Sequence, residues 1–280
     1  MRLLAASTAA LALAACAVGP DYQRPAPEPA ATGAFVSAEG AAFSPAEPQG
    51  DWWRLFDSPT LDALVAEALA ANKDIAVAAA NLEQVRAQLR ETRTQRLPAT
   101  TLSGAAQRVR QPNLATGDFE ESNLYSAGFD AAYEIDFFGR VSRSIEAARA
   151  DRDAAQAAVD VTRIAVAAET ARAFADACAF NARIAVARRS LDLQQQTFDL
   201  TRRQLEAGRG TGLDTARAAA LLETTRASLP PLEAQRDGAL FRLAVLLGRP
   251  PAQAPEEARA CQAIPQVASV IPTGDGAGLL

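Results

Sequence analysis

The sequence predicts a mainly α-helical chain carrying one β-hairpin, and three observations predict it. Residues 140–207 contain neither Gly nor Pro, a run that would make a helix of roughly 100 Å at 1.5 Å per residue. Residues 123–137 alternate between apolar and polar or small positions, the period of a strand. Of the 280 residues, 67 are Ala and 27 are Arg, a composition that favours long helices.

Composition also excludes functions. The chain has no His, which removes the Ser-His-Asp triad, His-ligated zinc and imidazole acid–base chemistry. Cys16, Cys178 and Cys261 are too far apart for a Cys-only metal site, and no Gly cluster forms a phosphate-cradling loop. The net charge is −5, the wrong sign for a nucleic-acid binder. The sequence therefore predicts no enzyme, no cofactor, no metal site and no nucleic-acid partner.

Residues 1–15 read as a signal peptide. Arg2 gives a positive start, and Leu3 to Ala15 is apolar or small but too short to span a bilayer. Leu13-Ala14-Ala15-Cys16 places small residues before a thiol, the requirement for lipoprotein processing at Cys16. Acyl chains there contribute about 0.8 kcal/mol per buried CH₂. Residues 16–57 then form a lipidated linker, extended because of Pro20, Pro25, Pro27, Pro29, Pro45 and Pro48. Trp52, Trp53 and Phe56 at its end are expected to pack the linker onto the first helix.

Ser58-Pro59 starts a helix over 59–97, with a break near Asn72 and a stop at Pro98. Strands follow at 99–110 and 123–137, separated by a loop holding Pro112, Asn113 and Gly117. In the second strand Tyr125, Ala127, Phe129, Ala131, Tyr133, Ile135 and Phe137 share one face; Ser126, Gly128, Asp130, Ala132, Glu134 and Asp136 share the other. That length suits a transmembrane strand with lipid on one face and water on the other. Tyr125, Ala127, Phe129, Ala131, Tyr133 and Ile135 are the expected lipid-facing residues. A long strand of a soluble sheet would carry the same alternation.

The long helix, 140–207, carries two apolar seams. Ile184, Leu191, Phe198 and Leu205 recur every seven residues, as do Val186, Leu193, Leu200 and Ala207. Upstream, Val159, Val166, Ala173 and Phe180 form one row, and Val161, Ala168, Ala175 and Ala182 another. Rows two residues apart lie about 200° apart on a helix. A two-stranded coiled coil needs one seam, so two seams call for a neighbour on each side, as in a tube of helices. Gly208, Gly210, Thr211, Gly212, Leu213 and Asp214 make a tip turn at 208–214, with Asp214 the expected cap of the next helix. That helix covers 213–247 and is divided at Pro230-Pro231. Residues 249–280 read as a connector without helix or strand. The segments 73–97 and 213–247 together nearly match the long helix, so one rod is continuous and its companion is built from two pieces.

These residues resemble the N-terminal half of the TolC-like outer-membrane factors, in the lipoprotein (NodT-type) branch serving RND efflux pumps. The matching segments are Cys16-Ala17-Val18-Gly19-Pro20-Asp21-Tyr22, Trp52-Trp53 with Phe56, Leu61-Asp62-Ala63-Leu64, Ala71-Asn72-Lys73-Asp74, Tyr133 to Arg140 and Leu246-Leu247-Gly248. The family carries two such repeats in tandem; this chain shows one, residues 58–248, and lacks the second. Gly210-Thr211-Gly212 also departs from the family's usual single-Gly turn. The resemblance implies a trimer with a twelve-stranded outer-membrane barrel and a periplasmic helical tunnel. It also implies a tip at 208–214 that meets a periplasmic adaptor, and an inner-membrane RND transporter that supplies energy. Two strands alone leave open edges that lipid cannot satisfy. The expected function is a passive exit duct for drugs or other small molecules, lipid-anchored in the outer membrane and extending into the periplasm. The alternatives are a periplasmic helical-hairpin lipoprotein acting as an interaction module and a non-functional truncated duct. Cys178 and Cys261 would be free to pair in an oxidising compartment, but an Ala-rich helix row also suits a small buried thiol, and spacing alone does not decide.

Overall fold

The computed structural model describes residues 20–23, 25, 26, 28, 33, 35, 38, 40–112, 117–267 and 269–274. The signal peptide and Cys16 lie outside them. The elements run in the order β1 (Phe43–Ser44), α1 (Pro59–Ala71), α2 (Lys73–Thr94), β2 (Ala99–Pro112), β3 (Phe119–Ala132), α3 (Arg140–Glu206), α4 (Gly212–Ala227), α5 (Leu229–Leu246), α6 (Glu256–Ala260) and β4 (Ile271–Pro272). The chain divides into two compact units. One holds the described residues up to Gln23 with Ala79–Ala158; the other holds those from Arg24 to Ala78 and from Val159 onward.

The first unit is built around the hairpin. β2 and β3 pair antiparallel along their whole length, from Ala99↔Ala132 to Pro112↔Phe119. The helical segments of this unit meet at a small core of Leu89, Val141 and Ile145, with Ala148 against it. Arg86 donates to Gln156 across the same helices at 3.3 Å.

In the second unit, Leu61, Leu64, Val65 and Ala68 of α1 pack with Val166, Phe174 and Ala177 of α3 and with Leu240 and Leu243 of α5. Ser58 caps α1, its hydroxyl accepting from the Leu61 amide at 3.3 Å, with Pro59 in the first turn. Trp52, Trp53 and Phe56, on a 3-10 turn at Trp52–Phe56, pack against this core, as the sequence predicts. Asn72 separates α1 from α2 with an extended backbone (ψ 133°), also as expected. Cys178, fully buried, is disulfide-bonded to Cys261, so the free-thiol alternative does not hold.

Four expectations are corrected. The second strand covers Phe119–Ala132, not 123–137, so Tyr133, Ile135 and Phe137 leave the ladder. The partner strand ends at Ala99 beside Pro98, and proline cannot donate the next ladder bond. At the other end both strands run further than the apolar alternation reveals, because Arg108, Arg110 and Glu121 occupy the same face there. The helix over 213–247 divides at Ser228, with Pro230 and Pro231 in the first turn of α5, where a missing amide costs no helical bond. The tip cap is Thr211 and not Asp214. Finally, the tail is not featureless. It carries a 3-10 turn at Pro251–Gln253, the short helix α6 and β4, which pairs in parallel with β1. Asn181 fastens it to α3, its side-chain amide donating to the carbonyls of Arg259 (3.0 Å) and Cys261 (2.8 Å).

The two seams of α3 fare differently. In the second unit Val159, Val166, Ala173 and Ile184 of the first rows are buried. Val161, Val186, Leu193 and Leu200 of the second rows are exposed. The first rows are covered within the chain as far as Phe198, with Leu205 exposed, while the large side chains of the second rows are uncovered and only their Ala168, Ala175 and Ala182 are half-buried.

Candidate functional site: a hairpin, its junction and a helical tip

The register sorts the hairpin into two chemically distinct faces. Opposite residues point the same way, so Tyr125, Ala127, Phe129 and Ala131 share a face with Ala106, Gly104, Leu102 and Thr100. This face is apolar over four cross-strand pairs. The other face carries Thr101, Ser103, Ala105, Ser126, Gly128 and Asp130, polar or small over that stretch, and continues past it with Gln107, Leu124 and Val109. Leu102, Tyr125 and Phe129 are all exposed. Large apolar side chains exposed in a row on one face need a covering other than water, while the opposite face suits water. Beyond Tyr125 the apolar face ends in charge, where Arg108 pairs with Glu121 and the Arg110 guanidinium sits 5.3 Å from the Phe119 ring centre. Of the six residues expected on this row, the structure places four on it; Tyr133 and Ile135 lie beyond the last strand pair.

Those two belong to a compact junction, residues 133–140, that turns the strand into α3. Asp136 is its centre. One carboxylate oxygen accepts from the Val141 amide at 3.0 Å and the other from the Ser142 amide at 2.8 Å. These are donors that a helix start leaves without intrahelical partners, and a negative charge there is further favoured by the helix dipole. Gly139 takes φ +77°, a conformation open chiefly to glycine. Glu134 and Arg140 form a two-bond fork at 2.9 and 2.6 Å across the turn. The fork from Arg140 holds the Glu134 carboxyl below its usual range, and hydrogen bonding by Ser142, then the Val141 and Ser142 amides, does the same for Asp136. Arg140 is raised by the Glu134 hydrogen bonds and charge. One turn along, Arg143 pairs with Glu146 (2.8 Å) and with Asp21 (2.6 Å). The sequence shows the acid, the glycine and the arginines but not these partnerships; the acid four residues before the helix is the readable hint.

The tip at 208–214 is a double cap. Gly208 takes φ +70°; its amide donates to the Leu205 carbonyl at 2.9 Å, and the Arg209 amide donates to Gln204 at 2.8 Å. That pair of bonds closes the end of α3 in the Schellman manner. A Cβ on Gly210 would stand 3.2 Å from the Leu205 nitrogen, a tight approach that a side chain could take only if the turn gave by a few tenths of an ångström. The Thr211 hydroxyl accepts from the Asp214 amide (3.2 Å) and donates to the Asp214 carboxylate (2.5 Å). Gly212 faces open space and Leu213 is exposed. The structure therefore brings Gly208, Gly210, Thr211 and Asp214 together as turn-formers and leaves Gly212 and Leu213 outward. Among the described residues no helix is long and apolar enough to cross a membrane, and no acidic, Cys or His cluster would hold a metal ion.

Comparison with known proteins completes the site. The family described as outer membrane efflux protein matches residues 64–249. Nodulation protein T of Rhizobium leguminosarum bv. trifolii is 30% identical over 253 residues, covering 88% of this chain and 52% of the relative. The probable efflux pump outer membrane protein TtgC of Pseudomonas putida is 32% identical over 255 residues, again 88% and 52%. The solved outer-membrane channel OprN superposes with a TM-score of 0.82 at 33% identity, covering 95% of this chain and 59% of that one. The chain spans about half the length of the curated relatives it matches.

Proposed function

Because the chain belongs to the outer membrane efflux protein family, we propose that it contributes the walls of a passive outer-membrane exit duct. The hairpin supplies two strands of a barrel, and α2, α3, α4 and α5 supply the periplasmic tunnel. Drugs or other small molecules pass through, and energy comes from an inner-membrane transporter of the RND class. A periplasmic adaptor meets the 208–214 tip. Cys16 carries the lipid anchor, and the assembly is a trimer in which the exposed second seam of α3 meets a neighbouring helix.

The observation that carries this reading is the hairpin's sorting. From Ala99↔Ala132 to Ala106↔Tyr125 the hairpin has one face led by exposed Leu102, Tyr125 and Phe129 and one polar or small face, which match a lipid-facing wall and a water-facing lumen. A charge on the lipid face near mid-membrane costs about 2–4 kcal/mol and much less on the lumen face. Phe129→Arg should therefore block outer-membrane assembly and raise ethidium retention in cells that depend on this duct for export. Asp130→Arg, its lumen-facing neighbour, should still assemble. Equal loss of assembly from both substitutions would refute the barrel and favour a soluble sheet.

A further inference from the structure

We propose that the Cys178–Cys261 bond is made by a thiol–disulfide oxidase that docks on the tail segment 261–267 and meets Cys261 first, with Cys178 completing the bond from inside the helical core. The inference rests on the reading above only in placing the chain in an oxidising compartment.

The two sulfurs are not equivalent. Cys178 lies near the middle of α3, a helix of 67 residues without Gly or Pro, and is fully buried in the core that also holds Phe174, Ala177, Leu240 and Leu243. To present that sulfur to an enzyme, α3 would have to unwind and lose the packing around it. Cys261 is half-buried and follows α6 with an extended backbone (φ −62°, ψ 130°). Thiol–disulfide exchange needs access to the attacking sulfur, and of the two Cys261 is the one that offers it.

The chain around Cys261 is shaped for a partner. Residues 261–267 form neither helix nor strand, so no ladder occupies the segment, and Pro265 favours an extended Ile264 before it. Ile264 and Val267 are 46% and 39% exposed, and no charged residue occurs from Cys261 to Pro272. An uncharged extended segment with apolar side chains three and six positions beyond a thiol fits an apolar groove beside an active-site disulfide.

The chemistry is two exchanges. The Cys261 thiolate attacks the enzyme's disulfide, forming a Cys261–enzyme disulfide and releasing the enzyme's second thiolate. The Cys178 thiolate then attacks Cys261 Sγ and expels the enzyme's first thiolate. Two thiols of the chain are oxidised to one disulfide, the enzyme's disulfide is reduced to a dithiol, and the two protons pass from the chain's thiols to the enzyme's.

The fold guides the second exchange. Ala258 of α6 is fully buried in the core that holds Cys178. Asn181, one turn past Cys178, donates to the carbonyls of Arg259 (3.0 Å) and Cys261 (2.8 Å). These contacts set Cys261 against Cys178, so docking of the tail and closure of the bond are one event.

The test uses the reduced full chain in a Cys16→Ala background, which leaves this pair as its only thiols. The enzyme is a periplasmic thiol oxidase whose second active-site cysteine is replaced and whose first carries thionitrobenzoate, so that attack by the chain releases a coloured thiol and leaves a mixed disulfide visible on non-reducing gels. The Cys178→Ala chain, holding Cys261 alone, should form a lasting mixed disulfide, and the Cys261→Ala chain should form one about tenfold more slowly or worse. With both thiols present the mixed disulfide should appear and then vanish as Cys178–Cys261 closes. In urea the two single-thiol chains should react alike, because the preference belongs to the fold. Equal rates in native buffer, or a faster Cys178, overturn the order. Ile264→Asp with Val267→Asp in the Cys178→Ala chain should slow the enzyme severalfold and leave reaction with glutathione disulfide unchanged; an equal loss with both, or no loss with either, overturns the docking segment. Cys178→Ser repeats the series if the Ala variant does not fold. The assay does not involve the hairpin, so its failure leaves the duct standing, and equal loss of assembly by Phe129→Arg and Asp130→Arg leaves the thiol order standing.

Discussion

The side-chain amide of Asn72 donates a 3.1 Å hydrogen bond to the carbonyl of Leu246, 174 positions away. The same residue's carbonyl oxygen accepts from the amides of Asp74 (2.9 Å) and Ile75 (3.3 Å). One buried side chain thus starts α2 and closes the last turn of α5. Gly248 stands on the same spot: with φ +69°, its Cβ would fall 3.0 Å from the Ala71 carbonyl oxygen. The Asn-Lys-Asp step and the Leu-Leu-Gly step, distant in sequence, are two halves of one joint.

Asn72→Ala should therefore destabilise the second unit by about 1–3 kcal/mol, from a lost cap and a carbonyl left unpaired. Asn72→Asp keeps the cap acceptor and loses only the donor, so its loss should be smaller. Denaturant unfolding followed by circular dichroism orders the three proteins. An Asp variant as unstable as the Ala variant would show that the bond to Leu246, and not the cap, dominates.

The Cys178–Cys261 disulfide closes a loop of 83 residues. Loops of that size are associated with roughly 2–4 kcal/mol of stabilisation. Replacing both cysteines with Ala, or adding reductant, should lower the unfolding midpoint to the same value. Asn181→Ala should lower it further in the cysteine-free background, because its bonds to the Arg259 and Cys261 carbonyls still fasten that stretch of the tail to α3. A midpoint indifferent to reductant would mean that the bond is not formed in the exported protein.

Legibility followed the range of the forces involved. Local, repeated patterns could be read directly: the Tyr125–Ala131 alternation, the Gly- and Pro-free run of α3, and the Ser58-Pro59 start all appear where expected. Features set by a distant partner could not. Nothing near Cys178 names Cys261, and nothing near Asp21 names Arg143. The strand end was misplaced because Tyr133, Ile135 and Phe137 keep the period of two, while the limit on the ladder is set by Pro98 on the other strand. At the tip, three glycines pointed to a turn, but which residue caps α4 depended on Thr211 being one position before the helix.

At the junction, Asp136 and Glu134 both titrate below their ordinary range. A carboxyl whose folded pKa is depressed contributes stability above its unfolded pKa, about 3.9 for Asp and 4.3 for Glu. That contribution is lost as pH falls through the folded value. Protection of the Val141 and Ser142 amides from hydrogen exchange should hold from neutral pH down past the ordinary Asp value of about 3.9 and fade only below it. Asp136→Asn removes the charge and should leave these amides weakly protected with little pH dependence. Protection in the parent that fades already near neutral pH would contradict the assignment of Asp136 as the cap.

The tip separates fold from docking more cleanly than any other part of the chain. Gly208, Gly210 and Thr211 are occupied with ending α3 and starting α4, so substituting them confuses a broken turn with a lost partner. Thr211→Ala alone should cost about 1 kcal/mol as a lost cap. Leu213 has no such duty. It is exposed on the first turn of α4 beside Gly212, whose outward side is open, and an exposed Leu at a turn is a natural contact for a partner's apolar surface. Leu213→Glu should leave outer-membrane assembly and trimer formation intact while reducing dye export and cross-linking to the periplasmic adaptor. Gly212→Ala should fold without strain and test whether a partner backbone comes close at that point. Full export by both variants, with cross-linking unchanged, would mean that the tip is only a turn.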